Sequence, residues 1–194
     1  MRLFIGLAPP AAVLDDLDAA CAPFRLVRDD LRWTSRDLWH VTLAFLGEVS
    51  EETLGPLAPA LERAAGRYRA FTLSVAGAGA FSNPVRANVL WSGMAGDLRA
   101  LADLAQAVSA AARRGGATPP DTDRGFTPHL TLARCRAPVD VREIVARLDR
   151  YQGPEWTVEE IYLIRSTLDR QPRYQTLDTW KLRPAVPSHS PPGA

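Results

Sequence analysis

His40-Val41-Thr42-Leu43 and His129-Leu130-Thr131-Leu132 are two copies of one pattern, and they hold two of the three histidines in the chain, the third being His189. In an extended strand successive side chains point to opposite faces at about 3.3 Å per residue, so the His and Thr of each copy project from one face about 7 Å apart. Val41, Leu43, Leu130 and Leu132 take the other parity, which suits a sheet with one face in the core and one lining a cleft. Each copy then offers an imidazole and a hydroxyl to the same small anion. One His-x-Thr is commonplace in a strand, but two copies, each followed by leucine, read as matched half-sites.

Two imidazoles facing one another across a phosphate form an acid and base pair. A phosphodiester or cyclic phosphate needs one group to take a proton from the attacking oxygen and another to give one to the departing oxygen, and histidine titrates near neutrality. Threonine hydroxyls can donate to the non-bridging oxygens, where negative charge grows. The arrangement calls for no metal and no cofactor, and two histidines in separated copies lack the remaining ligands of a zinc site. Cys21 and Cys135 are too few for a disulfide framework and point to a reducing, cytoplasmic setting. Cys135 shares ideal strand parity with His129 but lies about 20 Å further along, so it is expected to pack rather than to act as a nucleophile.

Composition bounds the partners. With 194 residues and 46% hydrophobic content the chain can bury a substantial core. A formal charge of +1 and a pI near 7.9 give no strong field for holding long nucleic acid by counterion release. Lys181 is the sole lysine, and the preference for arginine is in keeping with a coding bias. No apolar run approaches the roughly 20 residues of a membrane span. The apolar start, Met1 to Ala8, is broken by Pro9-Pro10 and followed by Asp15-Asp16, which argues against a signal peptide.

Strands and helices alternate along the chain. Residues 2–7 are expected as a strand and 10–20 as a proline-started helix with Val13, Leu14 and Leu17 on one side. The first histidine strand spans about 38–46. Ser50, with Glu51 and Glu52 in the first turn, starts a helix reaching Gly66, and Pro56 and Pro59 predict irregularity in its early part. Residues 70–80 and 86–92 are expected as strands joined through Phe81-Ser82-Asn83-Pro84. Asp97 caps a helix whose stripe of Leu98, Leu101, Leu104, Ala105 and Val108 is core, ended by Gly115-Gly116. Gly115 to Arg124 is expected as a mobile loop that could cover a substrate. The second histidine strand, about 126–135, precedes a helix near 139–150 and strands near 155–166 and 173–182. Residues 184–194, with three prolines beyond Pro184, are expected as a disordered tail in which His189 has no partner, leaving 1–183 as one bilobal domain.

Taken together, these segments resemble the two-histidine (2H) phosphoesterase superfamily, and within it the bacterial and archaeal RNA 2′,3′-cyclic phosphodiesterases, formerly called 2′-5′ RNA ligases. Arg2-Leu3-Phe4-Ile5-Gly6-Leu7 with Pro9-Pro10 resembles the family's first strand and turn. His40-Val41-Thr42-Leu43 running into Phe45-Leu46-Gly47 is similar to its first signature, and Phe126-Thr127-Pro128-His129-Leu130-Thr131-Leu132-Ala133-Arg134 to its second. Leu163 to Ser166, Leu168 and Tyr174 resemble its closing hairpin; the glycine often found before that hairpin's tyrosine strand is absent from Asp169-Arg170-Gln171-Pro172-Arg173.

The resemblance implies an α+β fold of two pseudo-symmetric lobes, each an antiparallel sheet with helices packed on it, with the motifs facing a central cleft. It implies hydrolysis of an RNA-terminal 2′,3′-cyclic phosphate to a 2′-phosphomonoester, with His40 as general acid and His129 as general base, roles that the symmetry of the site allows to be exchanged. Thr42 and Thr131 would hold the phosphoryl oxygens. The family also places an arginine near the phosphate at the position of Arg134, although ideal strand parity puts that residue on the face opposite His129, so that a bulge or strand end would have to redirect it. Phe126 is the candidate for stacking on the terminal base, ahead of Trp33 and Trp39. The alternatives are 2′-5′ RNA ligation, a small cyclic nucleotide or ADP-ribose 1″,2″-cyclic phosphate as substrate, and, in another class, a non-catalytic RNA-end binding protein. No membrane, no obligate protein partner and a monomer are expected.

Overall fold

Alternating apolar and polar residues with β-branched and aromatic side chains make strands of most of the segments expected from the sequence, and all pair antiparallel. The computed structural model describes residues 1–117, 125–167 and 173–185. Over these the order is β1 (Arg2–Leu7), α1 (Ala11–Arg25), β2 (Leu31–Trp33), a 3₁₀ turn (Arg36–Leu38), β3 (Val41–Glu48), α2 (Glu51–Ala65), β4 (Phe71–Phe81), β5 (Ala87–Gly96), α3 (Leu98–Arg114), β6 (His129–Val139), α4 (Arg142–Leu148), β7 (Gln152–Val158), β8 (Glu160–Thr167) and β9 (Arg173–Lys181). Of the loop expected over Gly115 to Arg124, residues 118–124 lie outside the described residues, as do Leu168 and the tail with His189 apart from Pro184 and Ala185.

The strands form two sheets, ordered β3-β1-β8-β9 and β2-β6-β5-β4-β7. Leaving β2 aside, the orders superimpose as β3 with β6, β1 with β5, β8 with β4 and β9 with β7, which is the pseudo-twofold that the duplicated motif implies. The lobes are not successive halves of the chain. Helices α1 and α4 pack on the five-stranded sheet through β4 and β7, whereas α2 and α3 cover the four-stranded sheet through β3 and β9. Helices α1 and α3, which follow β1 and β5, therefore cross to the opposite sheet. The core joins both sheets, with Leu3, Ile5 and Leu7 of β1 and Leu130 and Leu132 of β6 almost fully buried.

Three local expectations change. The segment near 155–166 is two strands, β7 and β8, which turn at Glu159 and enter different sheets. Helix α2 runs without a break through Pro56 and Pro59, because burial of Leu57, Ala60, Leu61 and Ala64 against α3 and the sheet outweighs the two lost backbone donors. Leu98 is 43% exposed and stands off the buried stripe of α3, while Asp97 caps that helix as expected, accepting from the Ala100 amide at 2.9 Å.

Candidate active site

In both copies of the motif the strand carries one extra residue directly after the threonine. On β3, Thr42 pairs with Gly6 and Ala44 with Ile5, leaving Leu43 bulged; on β6, Thr131 pairs with Trp91 and Ala133 with Leu90, leaving Leu132 bulged. Each bulge turns two consecutive apolar residues inward, Leu43 with Ala44 and Leu132 with Ala133, all at or below 6% exposure. The parity beyond the bulge is inverted. Phe45 therefore joins His40 and Thr42, and Arg134 joins His129 and Thr131, on the walls of one cleft of about 590 Å³. This bulge is what directs Arg134 to the histidine face, and it moves Cys135 off that face, where Cys135 packs half-buried against the core and pairs with Leu31. The signal was present as Thr-Leu-Ala in both copies, where two adjacent apolar residues interrupt the alternation.

The two imidazoles are held alike. His40 lies just before β3 and His129 opens β6. His40 Nδ1 donates to the Leu38 carbonyl at 2.8 Å and His129 Nδ1 to the Thr127 carbonyl at 2.7 Å, since a carbonyl can only accept. In the neutral ring this fixes the tautomer and leaves Nε2 as the free lone pair. Burial pushes the His40 pKa down to about 4, against the pull of the Leu38 hydrogen bond and with help from the positive charges of His129 and Arg134. Burial also lowers His129, opposed by its bond to Thr127 and assisted by Arg134. Both rings are thus neutral at pH 7 in the free protein and gain proton affinity when an anion enters.

Aromatic rings back each imidazole. Phe4 lies 4.5 Å and Tyr174 5.0 Å from the His40 ring, while Phe81 stands edge-on at 4.9 Å and Trp91 at 6.2 Å from the His129 ring. Trp33, Phe45 and Tyr174 line the cleft, together with Arg2, Arg32 and Ser166. Phe126 does not: it is 40% exposed in the approach to β6, which becomes a strand only at His129. Trp39 is buried in the core at 3% exposure. Phe4, Phe81 and Trp91 were not found from the sequence, because they sit on strands far from either motif and only pairing brings them in. Among the described residues no carboxylate lines the cleft, and no cluster of three or more His, Cys, Asp or Glu suited to a metal occurs.

The model of the 2′-5′ RNA ligase superfamily matches residues 13–170, a span that contains both histidine motifs. The chain belongs to the 2′-5′ RNA ligase superfamily. Among its relatives in that superfamily is an Escherichia coli RNA 2′,3′-cyclic phosphodiesterase, 36% identical over 184 residues that cover 93% of this chain and 96% of the relative. A Geobacillus stearothermophilus protein of the same name is 29% identical over 151 residues, covering 77% of this chain; that relative is longer, and the match spans 47% of it. The crystal structure of Escherichia coli LigT complexed with 3′-AMP superimposes with a TM-score of 0.76 at 31% identity, covering 93% of this chain and 97% of LigT.

Proposed function

We propose that this superfamily member hydrolyses the 2′,3′-cyclic phosphate at an RNA terminus to a 2′-phosphomonoester, with its two histidines as the proton-transfer groups. The observation that carries the reading is the matched pair of imidazoles, each locked through Nδ1 to a backbone carbonyl two residues earlier and each accompanied by a threonine in one cleft. The names of the relatives and the nucleotide in LigT support the same substrate class. Water attacks phosphorus opposite the 3′ oxygen, the P–O3′ bond breaks, and the phosphate stays on the 2′ oxygen. His129 Nε2 takes the proton of the water, His40 Nε2 delivers one to the departing 3′ oxygen, and Thr42, Thr131 and Arg134 hold the non-bridging oxygens. The stacking role assigned to Phe126 passes to Phe45 or Tyr174, which line the cleft, whereas the Trp33 indole lies under Arg25 and donates to the Arg28 carbonyl. The proposal includes a monomer and a reducing cytoplasm, the latter in keeping with free Cys21 and Cys135. Among the described residues no helix is long and apolar enough to cross a membrane.

A second assignment is favoured by one observation. His40 is the more strongly depressed ring, so a single proton shared by the pair resides on His129, which would make His129 the acid and His40 the base. A substrate with sulfur in place of the 3′ oxygen separates the two, because a thiolate departs without a proton. The alanine variant rescued by that substrate is the one that lacks the acid.

The test of the overall reading is turnover of a 2′,3′-cyclic mononucleotide in the presence of a chelator. Each of His40→Ala and His129→Ala is expected to cost about a hundredfold to ten-thousandfold. Near-normal turnover by His40→Ala would sink the two-histidine mechanism, no product from the intact protein would leave an RNA-end binding protein, and formation of a 2′-5′ linkage in place of phosphomonoester would favour ligation.

A further inference from the structure

Arg32 of β2 and Arg134 of β6 are direct cross-strand partners, and both line the cleft. Like charges placed directly opposite on an antiparallel pair are destabilising. Several other arginines are held by carboxylates, as Arg25 is by Asp18, Arg28 by Asp30, Arg36 by Asp15 and Arg142 by Asp140. Neither Arg32 nor Arg134 has an acidic partner among the described residues, and the cleft wall supplies none. A repulsive pair facing a cleft whose described lining holds no acid is a site organised for more negative charge than one anion carries.

A cyclic phosphate diester bears a single negative charge, which the two threonines and one arginine already meet. The charge of Arg134 bears on both imidazoles, and β6 carries Arg134 on the same strand as His129 and Thr131. Arg134 therefore belongs to the reacting end, and Arg32 lies one strand further out, about 4.8 Å away in the pairing direction before the two guanidinium groups splay apart. We propose that Arg32 forms a second phosphate subsite, which takes the phosphate on the 5′ oxygen of the nucleoside whose 2′,3′-cyclic phosphate is opened. In RNA that group is the diester to the preceding nucleotide; in a free nucleotide it is a 5′-monophosphate. The inference rests on the proposed hydrolysis and adds to it a preference for an end that continues in the 5′ direction.

The experiment compares three substrates that differ only at the 5′ oxygen: a 2′,3′-cyclic nucleoside phosphate with a free 5′ hydroxyl, the same compound with a 5′-monophosphate, and a dinucleotide ending in the cyclic phosphate. For the intact protein the 5′ phosphate should raise kcat/KM about tenfold or more, mainly through KM. In Arg32→Gln that gain should fall to within about twofold, and in Arg32→Lys it should be kept in part, since the charge remains but the planar fork is lost. A gain with the dinucleotide but not the monophosphate assigns the subsite to the internucleotide diester; a gain with both assigns it to any 5′ phosphate. The melting temperature of Arg32→Gln should not fall, because the substitution relieves a repulsion, and this separates lost recognition from lost folding. Equal loss on all three substrates, or an unchanged gain in Arg32→Gln, overturns the inference. Absence of turnover on every substrate by the intact protein overturns the proposed hydrolysis instead.

Discussion

His40 carries a chemical commitment that also reaches stability. Its imidazole titrates near 6.5 in an unfolded chain, whereas burial against Phe4 and Tyr174 holds it at about 4 in the fold. Between those values the unfolded state binds more protons than the native state, so stability rises with pH across this window and is lost as pH falls through it. Above about 6.5 the contribution is fully present. His129 shifts in the same direction and adds to the slope. The expected result is a urea midpoint that drops between pH 6.5 and pH 4, with a shallower drop in His40→Gln; equal slopes in the two proteins would contradict the burial of a neutral ring. The residues of this scale were the most legible from the sequence, because His40, Thr42, His129 and Thr131 declare themselves by repetition. Their tautomers were not, since the carbonyls of Leu38 and Thr127 become partners only when the chain turns into each strand.

Strands β4 and β5 show how an element can set a side chain it does not carry. Gly79 pairs with Trp91, and a Cβ at Gly79 would stand 2.3 Å from the indole, so the ring lies across the glycine and reaches Phe81 and His129. Gly79→Ala is expected to displace Trp91, cost about 1–3 kcal/mol of stability through overpacking, and lower kcat by disturbing the ring behind His129. Trp91→Leu should make Gly79→Ala nearly harmless, so a double-mutant cycle measured by denaturation should show strong coupling, and additive effects would show that the two residues act separately. The run Val75-Ala76-Gly77-Ala78-Gly79-Ala80 advertises small residues without revealing what they make room for. The Thr-Leu-Ala bulges belong to the same category. Ideal alternation placed Arg134 on the wrong face, and only the register against β5 shows the shift. The division of the expected strand near 155–166 into β7 and β8 was hidden for a related reason: only Glu159 separates the two strands, and which sheet each piece joins is a matter of distant partners.

At the scale of the molecule, duplication of the motif foretold two lobes but not how they share the chain. Hydrophobic periodicity identifies the apolar face of a helix and is silent about which sheet will cover it, so the crossing of α1 and α3 to opposite sheets could not be read in advance. The crossing makes each sheet depend on both halves. Residues 1–96 contain β1 and β3 but lack β8, which pairs with β1, and α3, which packs on β3; they contain β4 and β5 but lack their neighbours β7 and β6. Residues 97–194 hold the complementary pieces, with β6 missing β5 on one side and β2 on the other. Either fragment alone would expose unpaired strand edges and an uncovered apolar face. Produced separately, residues 1–96 and 97–194 should each lack a cooperative thermal transition, and mixing them in equal amounts should restore one together with phosphodiesterase turnover. The strands that bring Thr42 and Thr131 to the cleft, with the histidines beside them, come from different fragments, so turnover can return only when the sheets reassemble across the cut; a cooperative transition in either piece by itself would show that a lobe folds without the exchange.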